Sequence, residues 1–103
     1  MFQPVIGHSY IRGAVSYIDN YGNVILNISQ ALFQEVARGR PFELYFKRHD
    51  PITVLGRHYH DVPVGEPLCL FNSAGLLEIA MNMGQAASLL GLQRDDSVQI
   101  NFI

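Results

Sequence analysis

Short apolar segments separated by turn-forming residues constrain the fold of this chain most. The segments mostly run for about four to eight residues and are rich in β-branched and aromatic side chains, a pattern typical of strands. Turn residues such as Asn20, Gly22, Gly39, Pro41 and Gly75 stand between them. We therefore predict a mainly β fold, a small antiparallel barrel or sandwich of about seven strands with two short helices.

The expected elements follow from these patterns. Strands are predicted at Ile11 to Ile18, Val24 to Leu26, Phe42 to Phe46, Ile52 to Leu55, Pro67 to Asn72, Leu76 to Met81 and Ser97 to Ile103. A helix is predicted from about Ile28 to Ala37, with Asn27 as its N-cap and Gln30 as the reciprocal partner. A second helix is predicted from Gly84 to Leu90, with Gly91 as its C-cap.

The composition limits the class of protein. Hydrophobic residues make up 49% and charged residues 16% of the 103 residues, which indicates one globular domain spanning residues 1–103. A net charge of −2 removes the electrostatic basis for general nucleic-acid binding, and no apolar run is long enough to cross a membrane. Cys69 stands alone, and the segment Met1 to Val5 lacks the pattern of a secretory leader. A cytoplasmic protein is expected.

Two turns carry polar groups that could bind a ligand. The segment Asp19 to Asn23 offers a carboxylate for a cation, an aromatic face for stacking and an amide that could pair with a base edge. The segment Asn72 to Gly75 exposes backbone N–H groups and the Ser73 hydroxyl to a ligand carboxylate. Ordinary turn chemistry also explains both segments and is the simpler interpretation of each, so that alternative stays open. Glu78 is unusual, since a carboxylate in an apolar strand needs a partner if it is buried.

Other candidates are weaker. His58 and His60 could face the same way and hold zinc, but no third ligand follows at a recognisable spacing, so no metal is expected. Gly84 and its neighbours lack the pattern of a phosphate-binding loop. Tyr59, between the histidines, is available to stack on a flat ligand.

Four segments together resemble one family. They read D-N-Y-G-N-V-I-L-N-I (Asp19 to Ile28), Y-H-D-V-P-V-G-E (Tyr59 to Glu66), N-S-A-G-L-L-E-I-A-M-N-M-G-Q-A-A-S-L-L-G-L (Asn72 to Leu92) and D-D-S-V-Q-I (Asp95 to Ile100). In this order they resemble the C-terminal domain of the S-adenosylmethionine (SAM) hydroxide adenosyltransferases, relatives of the SAM-dependent chlorinase and fluorinase. The resemblance extends over nearly the whole chain from Ile11 onward.

The resemblance implies an activity and an assembly. Family enzymes have a larger N-terminal α/β domain before this β-domain, and they form trimers with active sites between the two kinds of domain of neighbouring subunits. Water attacks C5′ of the ribose and expels methionine, so SAM is a substrate and no cofactor is expected. The groups that orient the water belong to the N-terminal domain, which residues 1–103 lack. No catalytic residue is therefore assigned here, and the chain alone is expected to be inactive.

The resemblance also implies residues of the adenine pocket. Tyr21 and Asn23 match residues of that pocket, and Tyr59 matches its aromatic stacking residue. The segment Met81-Asn82-Met83 matches the strand whose backbone addresses the adenine edge.

At the methionine end, the match is partial. Asp19 and Ser73 match residues near the amino-acid head of methionine. Ala74 stands where the halogenases carry arginine, while Glu78 matches the hydrolase-like L-E-I-A, which favours water over halide as the nucleophile.

Three hypotheses follow. The chain is the adenine- and methionine-binding part of a SAM hydrolase, or a non-catalytic module that binds adenosine or SAM, or an oligomerisation domain with relic ligand residues.

Overall fold

The computed structural model describes residues 3–47 and 49–103, which contain seven strands and two α-helices. Met1 and Phe2, part of the segment considered for a leader, lie outside the described residues. The strands are β1 (Val5–Ile6), β2 (Tyr10–Ile18), β3 (Val24–Ser29), β4 (Phe42–Tyr45), β5 (Pro67–Phe71), β6 (Leu76–Met81) and β7 (Ser97–Phe102). The helices are α1 (Gln30–Ala37) and α2 (Ala86–Leu90), and a 3-10 helix spans Tyr59–Asp61.

The strands form one antiparallel sheet that curls into a half-barrel. Its order is β4-β7-β2-β3-β6-β5, and β1 pairs with β2. Between Val15 and Tyr17 the register of β2 against β3 shifts, as at a bulge, which bends the strand and increases the local twist. The mainly β fold with two short helices, predicted from the turn pattern, is confirmed.

Two apolar clusters lie on opposite faces of the sheet. The large inner cluster includes Ile11, Leu26, Ile28, Leu44, Leu77, Ile79 and Ile100, together with Phe33 and Val36 from α1. The small outer cluster contains Val62, Leu68, Leu70 and Ala80. Because side chains alternate along a strand, Glu78 shares the outer face with Ala80. The outer cluster thus holds the loop containing Val62 over the face where Glu78 lies.

The first helix begins later than predicted. β3 continues to Ser29, and the Ser29 Oγ accepts a hydrogen bond from the Leu32 N–H at 3.1 Å, so Ser29 is the N-cap. The expected cap at Asn27 is wrong. Its side chain instead accepts a hydrogen bond from the Ala14 N–H on β2 at 2.9 Å, so the tertiary pairing has overridden the local capping pattern.

Two further predicted elements differ by more than one residue. The segment Ile52 to Leu55 forms two isolated bridges, Ile52 to Leu44 on β4 and Leu55 to Cys69 on β5, instead of a strand. Because the segment crosses from β4 to β5, it pairs with each strand at a single residue and forms no continuous strand. The second helix begins at Ala86 because Gly84 bridges back to Met81.

The described residues contain no helix of the length and hydropathy needed to span a bilayer. Cys69 lies fully buried on β5, and desolvation raises the pKa of its thiol to about 12. It is therefore an unreactive core residue.

Candidate functional site

The turn between β2 and β3 is organised by the carboxylate of Asp19. Its Oδ1 accepts hydrogen bonds from the backbone N–H groups of Tyr21 and Asn23, both at 2.9 Å. The Asp19 carbonyl accepts from the Gly22 N–H at 3.1 Å. This is the side-chain-to-backbone pattern by which aspartate closes a turn. Asp19 is therefore a structural residue of the turn, whatever it does for a ligand.

The amide of Asn23 is held in one orientation. Its Nδ2 donates to Asp19 Oδ2 at 3.2 Å and to the Tyr59 hydroxyl at 3.3 Å. A carboxylate only accepts hydrogen bonds, so the atom facing Asp19 must be the nitrogen. Both amide hydrogens are thus used, which leaves Oδ1 as the free hydrogen-bonding atom among the described contacts. Asn23 is only 6% exposed, so its surroundings restrict rotation of the amide.

Tyr59 projects from the loop that covers the outer face. It begins the 3-10 helix Tyr59–Asp61, whose entry is fixed by Asp61: the Oδ2 accepts from the N–H groups of Arg57 at 2.8 Å and His58 at 3.1 Å. These backbone hydrogen bonds lower the pKa of the Asp61 carboxyl. The Tyr59 side chain is 47% exposed, so it has accessible surface for a ligand while its hydroxyl contacts Asn23.

Glu78 lies beneath this pair. It is 5% exposed, and within the described residues its Oε2 has no hydrogen-bond partner. Burial and the nearby charge of Asp19 raise its pKa to about 6, and the nearby Tyr59 hydroxyl acts in the opposite direction. A buried polar atom without a partner costs about 1–3 kcal/mol, so such a group often marks a functional site. The sequence drew attention to Glu78 but assigned it no site role.

Asp19, Asn23, Tyr59 and Glu78 therefore form one cluster, here called the polar cluster. Burial, followed by the charge of Glu78, raises the pKa of the Tyr59 hydroxyl. The cluster combines side chains from the β2–β3 turn, the 3-10 helix and β6, so residues far apart in the sequence meet at one position.

The other predicted ligand residues surround the cluster or lie away from it. Tyr21 and Met83 are exposed at 78% and 84%. Ser73 is exposed in the turn before β6, at the opposite end of that strand from Met81, so it does not join the polar cluster. Met81 is buried in the inner cluster.

Asn82 contacts the loop that carries Tyr59. Its N–H donates to the Glu66 carbonyl at 3.1 Å, and its carbonyl accepts from the Gly65 N–H at 2.9 Å. Its side-chain Nδ2 donates to the Val62 carbonyl at 2.8 Å. The backbone of Asn82 is thus already paired. In the segment Met81-Asn82-Met83, Asn82 therefore anchors the loop that contains Val62, Gly65 and Glu66.

A cavity of about 340 Å³ opens beside the polar cluster. Its lining residues are Arg57, His58, Tyr59, His60 and Leu70. Ligand pockets span about 300–1,000 Å³, so this cavity has room for a small flat group.

A larger cavity lies elsewhere. It measures about 750 Å³ and runs beside α1, where Phe33, Phe42 and Phe71 contribute to its wall. It is lined by no member of the polar cluster. We place the candidate site at the smaller cavity because Tyr59, which lines it, contacts the oriented amide of Asn23.

The two histidines of the covering loop lie side by side. The rings of His58 and His60 stack in parallel, with centroids 5.1 Å apart and an interplanar angle of 3°. Across residues 3–47 and 49–103, no three His, Cys, Asp or Glu side chains meet as metal ligands.

Comparison with known proteins gives the family. The model of the SAM hydroxide adenosyltransferase C-terminal domain matches residues 13–99. Two curated relatives are each named (R)-S-adenosyl-L-methionine hydrolase. The one from Thermus thermophilus is 34% identical over 92 residues, covering 86% of this chain and 31% of the relative. The one from Salinispora arenicola is 34% identical over 83 residues, covering 81% of this chain and 30% of the relative.

Solved structures share the fold. A conserved, uncharacterised protein from Thermotoga maritima superposes with a TM-score of 0.84 at 32% identity, over 98% of this chain and 39% of that one. A conserved hypothetical protein from Thermus thermophilus gives a TM-score of 0.68 at 27% identity, over 89% of this chain and 34% of that one. The chain spans about a third of the length of these relatives. It belongs to the SAM hydroxide adenosyltransferase family, whose C-terminal domain it matches.

Proposed function

We propose that this chain supplies the adenine- and methionine-binding part of a SAM hydrolase, which converts SAM and water to adenosine and methionine. The observation that carries the proposal is the Asn23 amide, held by Asp19 and Tyr59 beside the half-exposed Tyr59 ring. Family membership supports the substrate, since the curated relatives bear the name of that hydrolase.

The polar cluster suits adenine. The base offers a flat face for the Tyr59 ring and an exocyclic amine that can donate to the Asn23 oxygen. The cavity of about 340 Å³ beside Tyr59 has room for the base. Tyr21 and Met83, exposed near this end of β6, add apolar surface to the adenine end.

The methionine end of SAM carries an ammonium group and a carboxylate. Three hydrogen bonds occupy the Asp19 carboxylate, which has about four acceptor positions, so one is left for a ligand cation. Ser73 is in the exposed turn at the other end of β6, away from Asp19, so the ligand carboxylate is left to a group outside the polar cluster.

The proposed reaction is a displacement at C5′ of the ribose. Water forms the new C–O bond, the C5′–S bond breaks, and methionine leaves with the electron pair of that bond while the water loses a proton. Sulfur already carries positive charge, so the leaving group needs little acid assistance. We propose that the groups orienting the water come from an N-terminal domain of the family type.

An exposed apolar surface supports the proposal of such a partner. Tyr17, Ile18, Tyr21, Met83 and Leu89 are all at least partly exposed. Large exposed apolar side chains are expected where a partner domain packs. We propose that it packs against the N-terminal domain within a homotrimer, in the cytoplasm, where a lone thiol such as Cys69 stays reduced.

The test is titration calorimetry of the chain with adenosine and with SAM. We expect Tyr59→Ala to weaken adenosine binding by about 1–3 kcal/mol, through the loss of base stacking. Tyr59→Phe retains the ring and should weaken it much less. Equal affinity of the Tyr59→Ala chain and the unmodified chain would contradict the assignment. Binding to neither ligand would favour an oligomerisation role instead.

A further inference from the structure

A buried carboxyl lies behind the site, at the centre of the polar cluster. Glu78 is 5% exposed, and its buried Oε2 has no hydrogen-bond partner among the described residues. The groups that face it are the carboxylate of Asp19 and the hydroxyl of Tyr59. Its strand neighbours are apolar: Ile25 is opposite on β3 and Leu70 is opposite on β5. Glu78 therefore acts on the site only through Asp19 or Tyr59.

The Tyr59 hydroxyl has one hydrogen to donate. It already accepts from Asn23 Nδ2 at 3.3 Å, so its own hydrogen must point to a different acceptor. The Glu78 carboxyl lies near this hydroxyl and has acceptor capacity to spare, since its Oε2 has no hydrogen-bond partner among the described residues. Donation of that hydrogen to Glu78 gives a row of donors in one direction, from the Asn23 amide to the Tyr59 hydroxyl and on to Glu78.

We propose that Glu78 is a specificity-determining residue: through the Tyr59 hydroxyl it holds the Asn23 amide with Oδ1 toward the ligand, so the site selects purines that carry a hydrogen-bond donor at position 6. This inference rests on the proposed binding of adenine, and it adds the residue that keeps the Asn23 amide oriented to accept from the base. Adenine has an amine at position 6, whereas hypoxanthine has an oxygen there. An amide oxygen that only accepts a hydrogen bond can pair with the amine of adenine. Against the oxygen of hypoxanthine it places two acceptors face to face.

Asp19 and Glu78 have separate contributions. Asp19 Oδ2 binds one hydrogen of the Asn23 amide at 3.2 Å, and the Tyr59 hydroxyl binds the other. Without an acceptor at position 78, the Tyr59 hydroxyl is free to turn its hydrogen toward Asn23. That hydrogen can then pair with Oδ1 and pull the amide out of its reading orientation.

The first measurement compares adenosine and inosine by calorimetry. We expect the unmodified chain to prefer adenosine by at least about tenfold, and Glu78→Leu and Tyr59→Phe each to reduce that ratio to about threefold or less. Glu78→Gln retains an acceptor oxygen and should keep an intermediate ratio. A preference that is unchanged in both Glu78→Leu and Tyr59→Phe overturns the inference and leaves adenine binding intact. An unmodified chain that binds neither nucleoside counts against the proposed function, and the second measurement then decides the inference.

The second measurement needs no ligand. The side-chain amide resonances of Asn23 are followed by NMR between about pH 4.5 and 7.5, because ionisation of Glu78 changes the hydrogen bond that Tyr59 makes. We expect a pH-dependent shift in the unmodified chain that is lost in Glu78→Gln and in Tyr59→Phe. Both variants keep His58 and His60 beside the site, so a response that survives in them belongs to other groups and contradicts the inference. Dispersed amide spectra of the variants show that they have folded.

Discussion

At the scale of single residues, Glu78 couples stability to pH. Its pKa in the folded chain is raised to about 6 from an ordinary value of 4.5, first by burial and then by Asp19. Between these values the folded chain binds more protons than the unfolded chain, so the free energy of unfolding falls as pH rises through this window. A shift of this size corresponds to at most about 2 kcal/mol.

Glu78→Gln should remove that dependence. We expect the free energy of unfolding of the variant, minus that of the unmodified chain, to rise by about 1–2 kcal/mol from about pH 4.5 to 7.5, measured by urea denaturation. Glu66→Gln, at an exposed position, is the matched control and should give a flat difference. A flat difference for Glu78→Gln as well would mean that the carboxyl is not buried in the folded chain.

Asp61 and Asp96 act in the opposite direction and at lower pH. Backbone hydrogen bonds lower the pKa of both carboxyls below 3.8. Their stabilisation is present above that value and is lost as the pH falls through their folded pKa values. Because both are retained in Glu78→Gln, their effects cancel in the comparison.

At the scale of elements, the β2–β3 turn is joined to α2. Gly22 has φ of +76°, and its carbonyl accepts from the Ala87 N–H at 2.8 Å. A Cβ placed on Gly22 would lie 2.7 Å from the Cβ of Gln85. The turn therefore needs glycine both for its backbone conformation and for close packing against the start of the helix.

Two glycine substitutions separate these needs. Gly75 has φ of +77° but nothing within 4 Å of an added Cβ. We expect Gly75→Ala to cost about 1–2 kcal/mol of stability from backbone strain alone. Gly22→Ala should cost about 1 kcal/mol or more beyond that, because Gln85 must move. Equal losses in chemical denaturation would show that the turn and the helix are not tightly packed.

At the scale of the whole molecule, binding and catalysis are expected to separate. Catalysis of the proposed displacement requires a water held in line with the C5′–S bond and shielded from bulk solvent. A site that holds substrate and transition state equally well lowers no chemical barrier. The polar cluster lies on the outer face of a half-barrel, and Tyr59 is open to solvent.

The 103-residue chain should therefore release no adenosine from SAM. Chromatography of SAM incubated with the chain would show this, with the Thermus thermophilus relative as the positive control. An adenosine-forming rate that scales with chain concentration and is abolished by His58→Ala or His60→Ala would contradict it. Such a result would make these residues a complete small enzyme.

The turn chemistry and the strand patterns of the sequence determined the fold class. Gly22 and Gly75 stand where the chain needs a positive φ, and β6 begins and ends as its apolar run predicts. Local sequence preferences did not predict the structure correctly where a side chain could bond either within its own segment or to a distant strand. Asn27 has the chemistry of a helix cap, yet the nearby N–H of Ala14 binds its side chain.

The sequence by itself also identified the family and drew attention to every member of the polar cluster, because motifs at characteristic spacings carry that information. Only the tertiary structure decided which of them meet. Ser73 and Asn23 are both turn residues, but their turns lie near opposite ends of β6. Tyr59 contacts Asn23 because the outer apolar cluster holds its loop over the sheet. The burial of Glu78 has the same cause. Strand alternation assigns it to a face, and whether that face meets water or a covering loop depends on contacts between residues distant in the chain.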